Sequence, residues 1–98
     1  MRITLIQTDI AWEDKLENLR RLHLRLEELK GETDLVVLPE TFTTGFSMNV
    51  EQLAEPMTGP TIKQLQQWAS QYGTALAGSF IAHHDDGSYR NSFFFLTP

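Results

Sequence analysis

Asp34-Leu35-Val36-Val37-Leu38-Pro39-Glu40-Thr41-Phe42-Thr43-Thr44-Gly45-Phe46-Ser47 is the stretch on which the reading of this chain turns. Leu35 to Leu38 is a continuous apolar run, too short and too branched to favour a helix. Such runs suit a strand covered on both faces. Pro39 has no N–H to give to a ladder, so pairing should end there. The chain thus delivers a carboxylate, Glu40, one residue past a proline-terminated strand. In open α/β sheets the C-terminal strand ends and their loops form the crevice in which ligands collect. Phe42 and Phe46 flank Glu40, and poorly hydrated surroundings would raise a carboxylate's pKa toward the range useful to a general base. The plainer alternative is a glutamate that only caps a loop, and spacing alone does not separate the two.

Outward from this segment, strand and helix patterns alternate. Arg2 to Gln7 reads as a buried strand. Leu16, Leu19, Leu22, Leu26 and Leu29 then make one apolar helical stripe. Asp14 is placed to cap its start, with Glu17 three residues on, and Gly31 can adopt the left-handed conformation that ends it. Leu24 falls off the stripe, and His23 sits beside it as a surface or boundary side chain. Thr41 to Met57 has no clean period, contains Gly45 and Pro56, and reads as a long loop.

Thr58-Gly59-Pro60 resembles a helix entry with a hydroxyl cap and a proline in the first turn. Ile62, Leu65, Ala69 and Tyr72 share the following helical face, and Gly73 closes it. Thr74 to Ala82 is a further strand, His83 to Ser88 a turn built on Asp86-Gly87, and Tyr89 to Leu96 its partner strand. The order β-α-β-α-β-β predicts one α/β domain over residues 1–98, with parallel pairing and a final hairpin. Phe93-Phe94-Phe95-Leu96 sets large apolar groups on both faces of the last strand. That suits a strand covered on both sides, by a partner chain or, as we expect, by the rest of a larger fold.

Composition excludes several functions. Eight Lys and Arg against thirteen Asp and Glu give a formal net charge of -5, unsuited to nucleic acid or to anionic membranes. No apolar run is long enough to cross a bilayer, and the start lacks a signal-peptide core, so a cytoplasmic location is the expectation. The chain holds no cysteine, which removes disulfides, thiolate metal sites and a cysteine nucleophile from these residues. His83 and His84 are neighbours on an extended chain and point to opposite sides, so no metal is expected. Gly78-Ser79-Phe80 lacks the second glycine of a serine-hydrolase elbow, and no phosphate-cradling or dinucleotide spacing occurs, so no cofactor is implied.

Leu38-Pro39-Glu40 after a hydrophobic strand, followed by Thr41-Phe42-Thr43-Thr44-Gly45-Phe46-Ser47-Met48, resembles the glutamate segment of the nitrilase superfamily of carbon–nitrogen hydrolases. The likeness is to its bacterial ω-amidase branch. Other landmarks follow in the same order: Gln7 and Asp9, Trp12, Asn18, Gly78-Ser79, and Tyr89-Arg90-Asn91-Ser92. The resemblance implies the N-terminal part of a four-layer α-β-β-α sandwich and a Glu-Lys-Cys mechanism. In it a cysteine attacks an amide or nitrile carbon, the glutamate moves the proton, and the lysine stabilises the oxyanion. Glu40 matches the general base. Phe42 and Phe46 are candidates to line the substrate pocket's mouth, with loop anchoring as the alternative. The implied substrate is a small ω-amide, such as the monoamide of a 2-oxo dicarboxylate.

The family's lysine and cysteine fall downstream of Pro98, and Lys15, Lys30 and Lys63 match neither motif. By itself the 98-residue chain is therefore expected to be inactive. The rival reading is a truncated, non-catalytic domain that serves as an interaction module or has no function. A third is a subunit completed by another chain. In either case a bare inner sheet face should drive self-association into homo-oligomers.

Overall fold

The computed structural model describes residues 1–98. Four strands form one mixed sheet in the order β1 (Ile3–Leu5), β2 (Leu35–Val37), β3 (Ala75–His83), β4 (Tyr89–Leu96). The first three are parallel and β4 returns antiparallel on β3, as expected of crossover helices followed by a hairpin. Ile3, Leu35 and Ala75 lie in one cross-strand row, and Gly78 faces Phe94 across the hairpin. After β2 the Leu38 N–H still reaches Ala77 O at 2.8 Å, and Pro39 then ends the ladder.

Two long helices cross one face. α1 (Lys15–Leu29) begins where the Asp14 side chain accepts the Glu17 N–H at 3.1 Å, answering one of the donors a helix start leaves unpaired. Gly31, at φ +80°, takes the chain onward after α1, a conformation that costs glycine nothing. Leu22 and Leu26 are buried, Leu19 and Leu29 partly so, while Leu16 in the first turn stays in solvent. α2 is a single turn, Val50–Leu53, and α3 runs Pro60–Tyr72.

The core lies between these helices and the sheet. Leu22 and Leu26 of α1, with Leu65, Trp68, Ala69 and Tyr72 of α3, pack on Val36, Leu76, Phe80 and Phe94. His23 sits at the boundary, stacked on Trp68 at 4.8 Å and bonded to the Tyr72 hydroxyl at 2.7 Å.

Several expectations require correction. β1 is not buried: it is the sheet's edge, and Ile3 and Leu5 are 56% and 72% exposed on the side without helices. The stretch after Glu40 is not a plain loop, since it holds α2 and then bridges Glu55 to Ala82 in parallel. Gly59, not Thr58, occupies the cap position of α3, and no side chain of the cap residue bonds there. The Glu55 carboxylate does that work instead, accepting the Thr61 N–H at 2.9 Å.

The triple phenylalanine is covered on one face alone. Phe94 is buried beneath the helices, while Phe93 and Phe95 are 67% and 56% exposed on the other. Alternation explains the split, because neighbours on a strand point to opposite faces. One helix layer and one sheet layer of the expected sandwich are therefore present.

Candidate functional site

Glu40 stands where the sequence places it, at the C-terminal edge of β2, and the chain turns sharply there. Thr41 lies at φ +46°, a left-handed conformation that is uncommon for a β-branched residue. Such strain persists when surrounding bonds over-determine it. Here the Thr41 N–H donates to Ser79 Oγ at 2.9 Å and its hydroxyl to the Glu40 carbonyl at 2.8 Å. Its carbonyl accepts the Gly45 N–H at 2.8 Å, and the Phe42 N–H reaches Ser79 O at 3.3 Å.

The reversal separates neighbours that look equivalent in the sequence. Phe42 swings into the core, 4% exposed, with its ring 6.0 Å from that of Phe94. It borders a cavity of 250 Å³ between α1 and the sheet, which Glu40 does not line. Within this chain Phe42 therefore borders a different cavity from the cleft that Glu40 lines. Phe46 stays outside at 83% exposed. The dry niche expected around Glu40 is also absent, because the Glu40 side chain is exposed.

The Glu40 carboxylate accepts a hydrogen bond from the Asn91 Nδ2 of β4. With Leu38, Gly78, Ser79 and Phe93 these two residues line a cleft of 330 Å³. Gly78 permits the close packing behind it. A Cβ there would meet the Leu38 Cβ at 3.1 Å and the Phe94 Cζ at 3.2 Å, tighter than ordinary contact. A second cavity, of 200 Å³, adjoins the first through Asn91 and is bordered by Phe46, Met48, Ile81 and Tyr89.

A second network pins the loop after Glu40 to the turn before α1. Buried Asn18 donates to Thr43 O at 2.6 Å and Ala11 O at 2.8 Å, and accepts the Ala11 N–H at 2.8 Å. The Ser47 hydroxyl donates to the Glu13 carboxylate at 2.6 Å, and the Trp12 indole donates to Phe46 O at 3.2 Å. Glu13 itself lies at φ +54°, with its N–H on Thr44 O at 2.7 Å. Trp12 and Asn18 thus reach the Glu40 loop physically. Patterning did not assign them that role, since each bond spans a loop or a crossover.

The other candidates lie elsewhere. Lys15 is committed to Glu55 at 2.9 Å, and Lys30 and Lys63 are exposed on or beside the helices. His83 stacks on Tyr89 at 5.0 Å, whereas His84 bonds the Ser92 hydroxyl at 2.7 Å, so the two imidazoles part company. What these residues can do chemically is narrow. One carboxylate, held at one oxygen by a neutral donor, faces a cleft at a strand end, and no thiol is present.

Comparison with known proteins follows the same line. The family model for carbon-nitrogen hydrolases matches residues 2–98. An ω-amidase of Yersinia enterocolitica is 36% identical over 98 residues, covering 100% of this chain and 37% of its own length. An (R)-stereoselective amidase of a Pseudomonas species is 35% identical, with 100% of this chain and 36% of that protein covered. The chain thus spans little more than a third of the curated relatives it matches. Among solved structures, the CN-hydrolase superfamily protein XC1258 of Xanthomonas campestris superposes with a TM-score of 0.92 at 38% identity. That match covers 99% of this chain and 36% of that one. An N-terminal amidase superposes at 0.85 with 15% identity, covering 99% of this chain and 25% of the other, a likeness of fold alone.

Proposed function

This chain belongs to the carbon–nitrogen hydrolase family, and on that premise we propose that it supplies the general base of an ω-amidase, with Glu40 as that base. The single observation that carries the reading is the placement of the Glu40 carboxylate. It sits at the C-terminal edge of β2, with one oxygen held by Asn91 and the side chain open to the cleft. The substrate proposed is a small ω-amide, such as the monoamide of a 2-oxo dicarboxylate, in line with the ω-amidase relatives.

The chemistry needs two groups that these 98 residues do not hold, a thiol and an ammonium at the cleft. A thiol S–H gives its proton to Glu40 as sulfur bonds to the amide carbon. Collapse breaks the C–N bond, and the nitrogen leaves as ammonia with the proton that Glu40 returns. Glu40 then takes a proton from water, whose oxygen attacks the thioester, and the sulfur departs to be reprotonated. An ammonium beside the carbonyl oxygen stabilises the charge in both steps. Phe46, at the outer rim, borders the region through which substrate would enter. Phe42, in the core, anchors the loop.

The open sheet face fits the same account. Ile3, Leu5, Phe93 and Phe95 form an apolar surface that further chain or a second copy would cover, so self-association of the isolated chain is part of the proposal. The test is reconstitution. The chain is mixed with the part of the Yersinia enterocolitica relative that lies outside the aligned segment, and ammonia release is followed from succinamate and from a simple nitrile. Turnover of the amide by the mixture and by neither part alone supports the proposal. A mixture that assembles yet releases no ammonia contradicts it.

A further inference from the structure

We infer that Asn91 is a positioning residue that selects which oxygen of Glu40 carries the proton during turnover, an inference that rests on the amidase reading. Two residues on adjacent strands lock the base from one side of the sheet. Ser79 of β3 and Asn91 of β4 share a face, since Ser79 pairs with Phe93 and Ile81 with Asn91 in register, and residues two apart point the same way. Ser79 fixes the backbone by holding the Thr41 N–H at 2.9 Å, so that only the side-chain torsions of Glu40 remain free. Asn91 removes that freedom by donating to Oε1.

The direction of this bond has a chemical consequence. An ionised carboxylate has no hydrogen to give, so the Asn91 amide must present its NH2 rather than its carbonyl. A proton placed on Oε1 would put two hydrogens into one contact. The proton that Glu40 receives therefore goes to Oε2, and it returns from there to the leaving nitrogen. A neutral amide suits the task, because it orients the base without surrendering a proton of its own. A lysine ammonium at that position would instead place a fixed positive charge and a second proton source against the base. The strained Thr41 turn and the Asn91 bond together hold one oxygen in reserve for the reaction.

Two measurements test this. In the reconstituted enzyme, Asn91→Ala should lower kcat by about 10²-fold with KM nearly unchanged, the order of loss that follows misplacement of a reacting group. Asn91→Asp keeps the shape but removes the donor and adds a like charge. Its activity should be low at neutral pH and rise as the pH is lowered, because a proton shared between the two carboxyls restores a donor. A residue that merely supported the fold would not invert the pH profile in this way. In the isolated 98-residue chain, the Asn91 side-chain amide protons should shift as acid protonates the carboxylate, and the Glu40→Gln chain should lack that shift. An Asn91→Asp enzyme that follows the wild-type profile, or an amide signal indifferent to Glu40, overturns the inference. A wild-type mixture that assembles without turnover overturns the amidase reading and this role with it.

Discussion

Replacing Glu55 with glutamine should unfasten the joint between the two long helices. Glu55 is 8% exposed, and its carboxylate collects three donors: Lys15 Nζ at 2.9 Å, Thr61 N at 2.9 Å and Thr61 Oγ1 at 2.5 Å. Lys15 opens α1 and Thr61 is in the first turn of α3, so one side chain ties both starts together. Glutamine keeps a single acceptor oxygen and turns its NH2 toward another donor. Hydrogen bonds to a charged group each contribute about 1.5–3 kcal/mol, and the replacement forfeits two of them. Lys15 keeps a quarter of its side chain in water and can be rehydrated, which brings the expected cost down to about 2–3 kcal/mol.

The pH dependence follows from the same contacts. Burial disfavours ionisation of Glu55, but the bonds from Lys15 and Thr61 outweigh it and hold the carboxyl below its usual range. A carboxyl lowered in the folded state stabilises above its unfolded pKa, and that contribution is lost as the pH falls through the folded value. The gap between wild type and Glu55→Gln should be full at pH 7 and should close below about pH 4. Urea unfolding at low protein concentration, followed by the fluorescence of buried Trp68, reads both. A gap under about 0.5 kcal/mol at pH 7, the size of an ordinary surface change, would show that the Glu55 carboxylate does not hold the joint. So would a gap that persists unchanged in acid.

Two further outcomes are expected. Gly78→Ala forces a Cβ against Leu38 and Phe94 and should cost about 1–3 kcal/mol, read as a lowered Tm; an unchanged Tm would mean that the sheet yields at that point. Replacing Phe93 and Phe95 together by serine should shift the isolated chain from oligomer to monomer by light scattering, and a wild-type chain that stays monomeric at high concentration would count against the open face as an association surface.

The parts of the fold visible in the sequence are those set by local rules. The leucine stripe of α1, its Asp14 cap, Gly73 at the end of α3 and the Asp86-Gly87 turn each depend on residues within a few positions. Glu40 belongs to this class, because Pro39 ends the strand beside it. The misses arise from distance in sequence. β1 looked buried because its run is apolar, yet Ile3 and Leu5 point to the sheet face that no helix of this chain covers. Phe42 and Phe46 looked alike until the positive φ of Thr41 sent one inward, and that turn is stabilised from Ser79, 38 residues on. Asn91 could not be paired with Glu40 from pattern, since β4 register and the hairpin together bring it there.

Whether Glu40 is the proton-transferring base is decided by single-turnover acylation in the reconstituted enzyme, comparing wild type with Glu40→Gln. Glutamine preserves the shape and the acceptor for Asn91 but cannot take a proton. Thioester formation from an ω-amide should fall by about 10²–10⁴-fold while substrate binding is retained. Acylation at the wild-type rate in the Glu40→Gln enzyme would contradict that role.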